Sequence, residues 1–200
     1  MSKTVTVVAA FMVAALAAGV TGCASLHITM NPEVSESELA TKHIPYHIIL
    51  VIDSELESYH WQGFSDAELR NVDYDLGSAS KDLFLKAFML ASKGVTLVKS
   101  RPTYSDAGRN DIVLVVHPRI GGFSEKHSLW IRNADYLAEI IYHVTVYDKT
   151  GKVLLEKVYS SRGVAMGSTN LYSNYGAPVE RAMEQAIVAI IDDINKLKAQ

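Results

Sequence analysis

The chain is short of cysteine. Cys23 is the only one in 200 residues. A disulfide framework within the chain and a metal site built from several cysteines are both excluded. Basic clusters are missing too. The formal charge is −3, and loss of an N-terminal segment carrying Lys3 would make it −4. Non-specific nucleic-acid binding needs basic patches that displace counterions, so this mild acidity argues against a nucleic-acid partner. The familiar catalytic signatures are absent as well. There is no HExxH, no GxSxG elbow and no Walker lysine in the one Gly-containing loop, Arg162-Gly163 to Gly167-Ser168. No internal repeat or low-complexity tract is present.

What is present begins at the N-terminus. Lys3 supplies a short positive region, and Thr4 to Gly19 is apolar and rich in Ala and Val. The small residues Thr21 and Gly22 then precede Cys23. These are the three parts of a secretory signal. The apolar run is short for a permanent membrane helix, which needs about 20 apolar residues. A plain signal peptide more typically ends in an Ala-x-Ala-like site.

Val20-Thr21-Gly22-Cys23 resembles the lipobox of bacterial lipoproteins. Val20 departs from the leucine usual at the first position. The resemblance implies that the Cys23 thiol is diacylated, that residues 1–22 are removed, and that the new amino group receives a further chain in many bacteria. One acyl chain binds a membrane only marginally, whereas two or more anchor stably. Acylation would also leave no thiol to act as a nucleophile. Ala24, not Asp, follows the cysteine, which resembles the signal for an outer-membrane destination.

Residues 23–44 are expected to be the acylated cysteine and a flexible tether. They are polar, with Pro32 and the acidic stretch Glu33 to Glu38, and at most a brief turn of helix over Glu36 to Ala40. Residues 45–200 are expected to form one periplasmic domain. Tyr46 to Ile52 reads as a strand buried on both faces. Asp53 to Asp75 reads as a long connection holding Tyr59, Trp61, Phe64 and Tyr74. These aromatics either cover one end of the core or form a contact surface. Isolated aromatics in loops usually pack inward, which favours the core.

A helix capped by Asp75 or Ser78 is predicted to run to about Lys93, with Gly94 just past its end. Leu76, Ala79, Leu83, Ala87 and Leu90 form its stripe, widened by Phe84, Phe88 and Ala91. Strands follow at Val95 to Val98 and Ile112 to Val116, the latter ended by Pro118, Gly121 and Gly122. Tyr136 to Tyr147 alternates, with Ala138, Ile140, Tyr142, Val144 and Val146 on one face. Asp148-Lys149-Thr150-Gly151 is a hairpin signal leading to a return strand over Val153 to Ser160. A loop over Ser161 to Gly176 precedes a last helix with Pro178 in its first turn. Its stripe is Val179, Met183, Ile187, Ile190, Ile194 and Leu197.

The fold class read from this order is α+β: a single, mostly antiparallel sheet of about five strands covered on one face by two helices. With the lipobox and the size, it resembles the small domains of accessory outer-membrane lipoproteins of lipopolysaccharide assembly, exopolysaccharide export and ABC transport. No binding residue follows from that resemblance.

The search for chemistry yields no catalytic, cofactor-binding or metal residue. His43 and His47 are separated by Pro45, His143 lies on a strand face with Glu139 and Thr145, and His117 abuts Pro118 at a strand end. Asp192-Asp193 reads as a solvated helix face. The expected function is therefore non-enzymatic: a lipid-anchored protein of the bacterial outer membrane, facing the periplasm, that helps to assemble or stabilise an envelope complex. Its working surfaces would be sheet edges, the loop Tyr59 to Tyr74 and the loop Asn170 to Tyr175. The alternative is a carrier for a lipid or small molecule, with Phe84, Phe88 and Met183 lining a cavity between sheet and helices. A hydrolase would require a cleft that joins histidines to acids distant in sequence.

Overall fold

The structure, a computed structural model, describes residues 25–65, 70–102, 113–127, 135–166 and 176–197. Eight strands and four helices are described. The strands are β1 (Leu26–Ile28), β2 (Ile44–Val51), β3 (His60–Ser65), β4 (Arg70–Asp75), β5 (Ser92–Val98), β6 (Val113–His127), β7 (Asp135–Tyr147) and β8 (Val153–Met166). The helices are α1 (Glu36–Ala40), α2 (Ser54–Glu57), α3 (Leu76–Ala91) and α4 (Gly176–Asn195).

The architecture is α+β, but it has two sheets where one was expected. Five strands pair in the order β5-β2-β6-β7-β8, and three in the order β1-β4-β3. The larger sheet is mixed, which corrects the mostly antiparallel expectation. β2 runs parallel to β5 on one side and to β6 on the other, while β6, β7 and β8 are antiparallel. The reason lies in the order strand, helix, strand. A chain that leaves β2, makes α3 and returns beside β2 has crossed over, and a crossover delivers a parallel neighbour.

The helices cover one face of the larger sheet. Ile44, Tyr46, Ile48, Leu50 and Ile52 of the β2 segment meet Leu83, Phe84, Ala87 and Phe88 of α3 in one continuous core. Ala138, Ile140, Tyr142, Val144 and Val146 alternate into that core, as their spacing predicts. α4 contributes Val179, Ala182, Met183, Ala186, Ile187, Ile190, Ile191 and Ile194. Leu90, counted in the α3 stripe, faces solvent instead. Asp75 caps α3 by accepting from the Ser78 N–H at 3.0 Å. Gly94 is not a helix end. The backbone turns extended at Ser92, and Gly94 lies inside β5 opposite His47.

Two strands outrun their predicted ends. β6 continues through Pro118 and past a bulge between Ile120 and Gly122. Its pairing with β2 stops at Val116, so Pro118 sits where the strand has lost one neighbour and a missing N–H costs little. β8 extends to Met166, pairing with β7 as far as Asp135. The hairpin between β7 and β8 forms as predicted, with Gly151 at φ 90.

The connection expected over Asp53 to Asp75 is also structured. Asp53 caps α2, and β3 and β4 form an antiparallel hairpin. Lys81 and Lys99 both reach Glu57 at the end of α2, and these bonds hold its carboxyl down at about 2.

The tether expectation fails for residues 26–43. β1 pairs with β4, and Ile28, Met30, Val34 and Leu39 are buried in the common core. The segment also clamps α4. Asn31 N–H donates to Glu180 at 2.8 Å, Glu33 N–H donates to Glu184 at 2.9 Å, and Lys42 meets Asp192 at 2.6 Å. Polar composition hid these contacts because the backbone amides and one lysine make them, with partners about 150 residues away.

Further along α4, Asp193 fastens the helix to the sheet. It accepts from Lys157 Nζ at 2.6 Å, Lys196 Nζ at 3.0 Å and the Tyr159 hydroxyl at 3.1 Å. The Lys157 bond leads in pulling its carboxyl from the ordinary 3.8 to about 2. A carboxyl lowered by folding contributes stability above its unfolded value, and this is lost as pH falls through the folded value. The window is therefore pH 4 to 2. Asp193→Asn is expected to cost on the order of 1 kcal/mol at neutral pH, after screening by solvent, and to flatten stability across that window. Urea midpoints at pH 6, 4 and 2.5 measure both effects. Equal losses in the two proteins between pH 4 and 2.5 would refute the assignment.

Candidate functional site

Cys23, expected to be acylated, lies outside the described residues, as do residues 1–22 and the loop Asn170 to Tyr175. The described chain starts two residues after the cysteine, at Ser25, and enters β1 at once. The site is therefore built outward from the small sheet.

Leu26, Val72 and Gly63 stand in one row across β1, β4 and β3. The inner face of this sheet joins the core. Trp61, Tyr74 and Phe123 form a triangle with ring centroids 5.1 to 5.8 Å apart, two of the three contacts tilted and one edge-on. This fastens the hairpin to β6, and the inward reading of these aromatics holds for Trp61 and Tyr74. Phe64 departs from it. Three residues beyond Trp61, it falls on the opposite face and is 58% exposed. The same outer face carries His27, His60, Asp73 and Asp75. The Asp73 carboxylate lies between the two imidazoles, 3.4 Å from His27 and 3.5 Å from His60.

A second polar region lies on the face of the larger sheet away from the helices. Glu55, His117, Arg119, His143, Thr145, Tyr147 and Glu156 border an open cleft of about 510 Å³. It does join histidines to acids distant in sequence. His117 Nε2 donates to Asp53 Oδ2 at 2.8 Å, and Arg119 stands 3.8 Å from the same oxygen. Burial works to raise the Asp53 carboxyl, but the Leu56 N–H and His117 outweigh it and leave it below its usual value. Both carboxylate oxygens are thus committed, Oδ1 to capping α2 and Oδ2 to β6. Asp53 works as a strut between the β2–α2 corner and β6. A hydroxyl or thiol held by a base, which nucleophilic catalysis needs, is not what His117 makes.

A second hollow, about 550 Å³, runs between the N-terminal segment and α4 and is lined by Glu33, Glu38, Glu184 and Asp192. Burial, with help from the charges on Glu180 and Glu33, raises the Glu184 carboxyl. Among the described residues, no group of three or more His, Cys, Asp or Glu side chains is placed to hold a metal ion. Nor is any helix there long and apolar enough to cross a membrane.

The residues expected to line a carrier cavity fill the core instead. Phe84, Phe88 and Met183 are fully buried, and Phe84 packs edge-on against Tyr142 at 5.3 Å. None of them borders the hollows described above. The edges of the larger sheet are β5 and β8, and those of the small sheet β1 and β3. β8 is the longest, with Val153, Val158 and Val164 exposed along it. The sequence search missed the Asp53–His117 pair and the exposed position of Phe64. Alternation from Trp61 through Val72 and Tyr74 was the available signal for the hairpin. No spacing rule links Asp53 to His117.

No protein-family model matches the chain, and no curated protein matches it in sequence. Solved structures similar to it include a DUF330 protein from Xanthomonas campestris, with TM-score 0.48, 12% identity, and coverage of 84% of this chain and 90% of that one. A minor lipoprotein from Acinetobacter baumannii is similar with TM-score 0.38 and 8% identity, over 75% of this chain and 92% of that one. Lipoprotein GNA1162 from Neisseria meningitidis is similar with TM-score 0.31 and 15% identity, over 74% and 99%.

Proposed function

We propose that this chain is a lipid-anchored protein of the bacterial cell envelope, fixed to the outer membrane through acyl chains on Cys23 and facing the periplasm. It serves there as a non-enzymatic accessory or assembly factor for an envelope complex. The observation that carries the reading is Val20-Thr21-Gly22-Cys23 at the end of an apolar run, two residues ahead of a folded domain. The β8 edge, with its row of exposed valines, suits the addition of a partner strand, since an unpaired edge offers backbone donors and acceptors to another chain. The commitment of Asp53 to a cap and a strut, and of Phe84, Phe88 and Met183 to the core, supports a binding role over a hydrolase or a carrier.

Mass spectrometry of the mature N-terminal peptide tests the anchor. The expected peptide starts at Cys23 and carries at least two acyl chains, and Cys23→Ser leaves the membrane fraction. An unmodified N-terminus elsewhere would overturn the reading. Crosslinking in the native membrane tests the role. One or two stoichiometric envelope proteins, lost with Cys23→Ser, are expected. A preparation carrying only lipid or a small molecule would favour the carrier instead.

A further inference from the structure

We infer that the tip of the small sheet stands on the lipid bilayer, with Phe64 inserted into its interfacial zone. The inference rests on the acylation of Cys23 proposed above. Its own ground is the distance left between anchor and fold. Two residues, Ala24 and Ser25, separate Cys23 from Leu26, and a chain extends at most about 3.6 Å per residue, so the three steps place Leu26 within about 11 Å of the anchored residue.

The register then places Phe64. Leu26 is level with Val72 and Gly63, which puts Gly63 about 10 Å away across two strand spacings. β1 and β4 are parallel and β3 opposes them. Going from Leu26 back toward Cys23 therefore points the same way as going from Gly63 on to Phe64. The exposed phenylalanine lies on the end of the sheet from which the anchor leaves. Nothing in the core requires an aromatic there, because Trp61 and Tyr74 already fill the inner face.

The occupant of Phe64 is lipid. The interfacial zone on each side of a bilayer is about 5–8 Å thick, and apolar side chains such as phenylalanine are buried at its boundary with the acyl chains by surface-bound proteins. The acyl chains hold the domain at the surface, and Phe64 sets which side of it faces down. The domain has no free leash with which to roll. The β8 edge lies two strands beyond β6, the strand to which the hairpin is fastened.

Acylation of the only cysteine leaves any introduced cysteine as the single free thiol. Phe64→Cys, Gln62→Cys and Val158→Cys, each purified with its acyl chains and labelled with an environment-sensitive fluorophore, would be placed in vesicles of phosphatidylethanolamine and phosphatidylglycerol carrying nitroxide lipid. Val158 is 54% exposed on β8 and serves as the distant control. The expected result is blue-shifted emission at position 64, with quenching several-fold above that at 158, and an intermediate value at 62. Should Phe64→Cys fail to fold, the same ranking of 62 over 158 carries the test. If positions 62 and 64 are as wet as 158 in acylated, vesicle-bound protein, the orientation is refuted and the anchor stands. If Cys23 carries no acyl mass, both readings fall.

Discussion

Gly163→Ala is expected to destabilise the protein by about 3 kcal/mol or more, at the upper end of what overpacking costs. Gly163 lies in β8 opposite Ala138, where the first turns of α4 rest on the sheet. A Cβ built there would stand 1.8 Å from the Pro178 carbonyl oxygen and 2.8 Å from the Ala182 nitrogen. Those atoms are helix backbone, so no rotamer change relieves the clash. The helix would have to lift, and it carries nine buried residues with it. Arg181, which donates to the Val164 carbonyl at 2.5 Å, would lose its place too. Urea unfolding followed by circular dichroism reads the loss directly. A shift under 1 kcal/mol would show that α4 sits further from β8 than described here.

Phe84→Ala is expected to cost about 3–5 kcal/mol, the range for truncating a buried phenylalanine. The ring is fully buried between Phe88, stacked at 6.3 Å, and Tyr142, edge-on at 5.3 Å. Tyr142 is pinned by the buried Ser80 hydroxyl, one turn before Phe84 on α3, at 2.7 Å, so it does not swing freely into the space. The site therefore collapses poorly, and that places the cost in the upper half of the range. The variant also separates a packed core from a carrier. With a packed core, removing the ring weakens the fold and opens a dry void. If the wild-type protein held a lipid there, truncation would enlarge its pocket and weaken it little. Equal stability of the two proteins would reopen the carrier reading.

Periodicity made the helices and the central strands legible. The stripes of α3 and α4 and the alternation from Ala138 to Val146 each span enough residues for the period to stand out, and each buries the face it predicts apart from Leu90, which is exposed, and Leu197, which lies past the end of α4. Short elements were not legible. β1 has three residues, and although Leu26, Ile28 and Met30 alternate, that is too brief to outweigh the polar chain after it. The hairpin of β3 and β4 was hidden by Gly63 and by the polar residues on its outer face. The parallel direction of β2 and β5 is implied by the crossover through α3, whereas alternation along a strand carries no direction for its neighbour. The cleft around Asp53 and His117 had no local signal, because it exists only once β2 and β6 are neighbours. Phe64 could be read only as one aromatic among four until register assigned it a face.

The clamp between residues 31–42 and α4 has a consequence for the order of folding. The first segment of the domain to be synthesised is one that needs the last helix in order to settle. Glu180, Glu184 and Asp192 arrive about 150 residues after their partners. Contacts between such distant parts form slowly, because the intervening chain must be brought to closure first. Synthesis of the whole polypeptide thus precedes completion of the native state. Until then the bonds to Glu180, Glu184 and Asp192 are unmade, and a holding chaperone has its longest opportunity at this end of the domain.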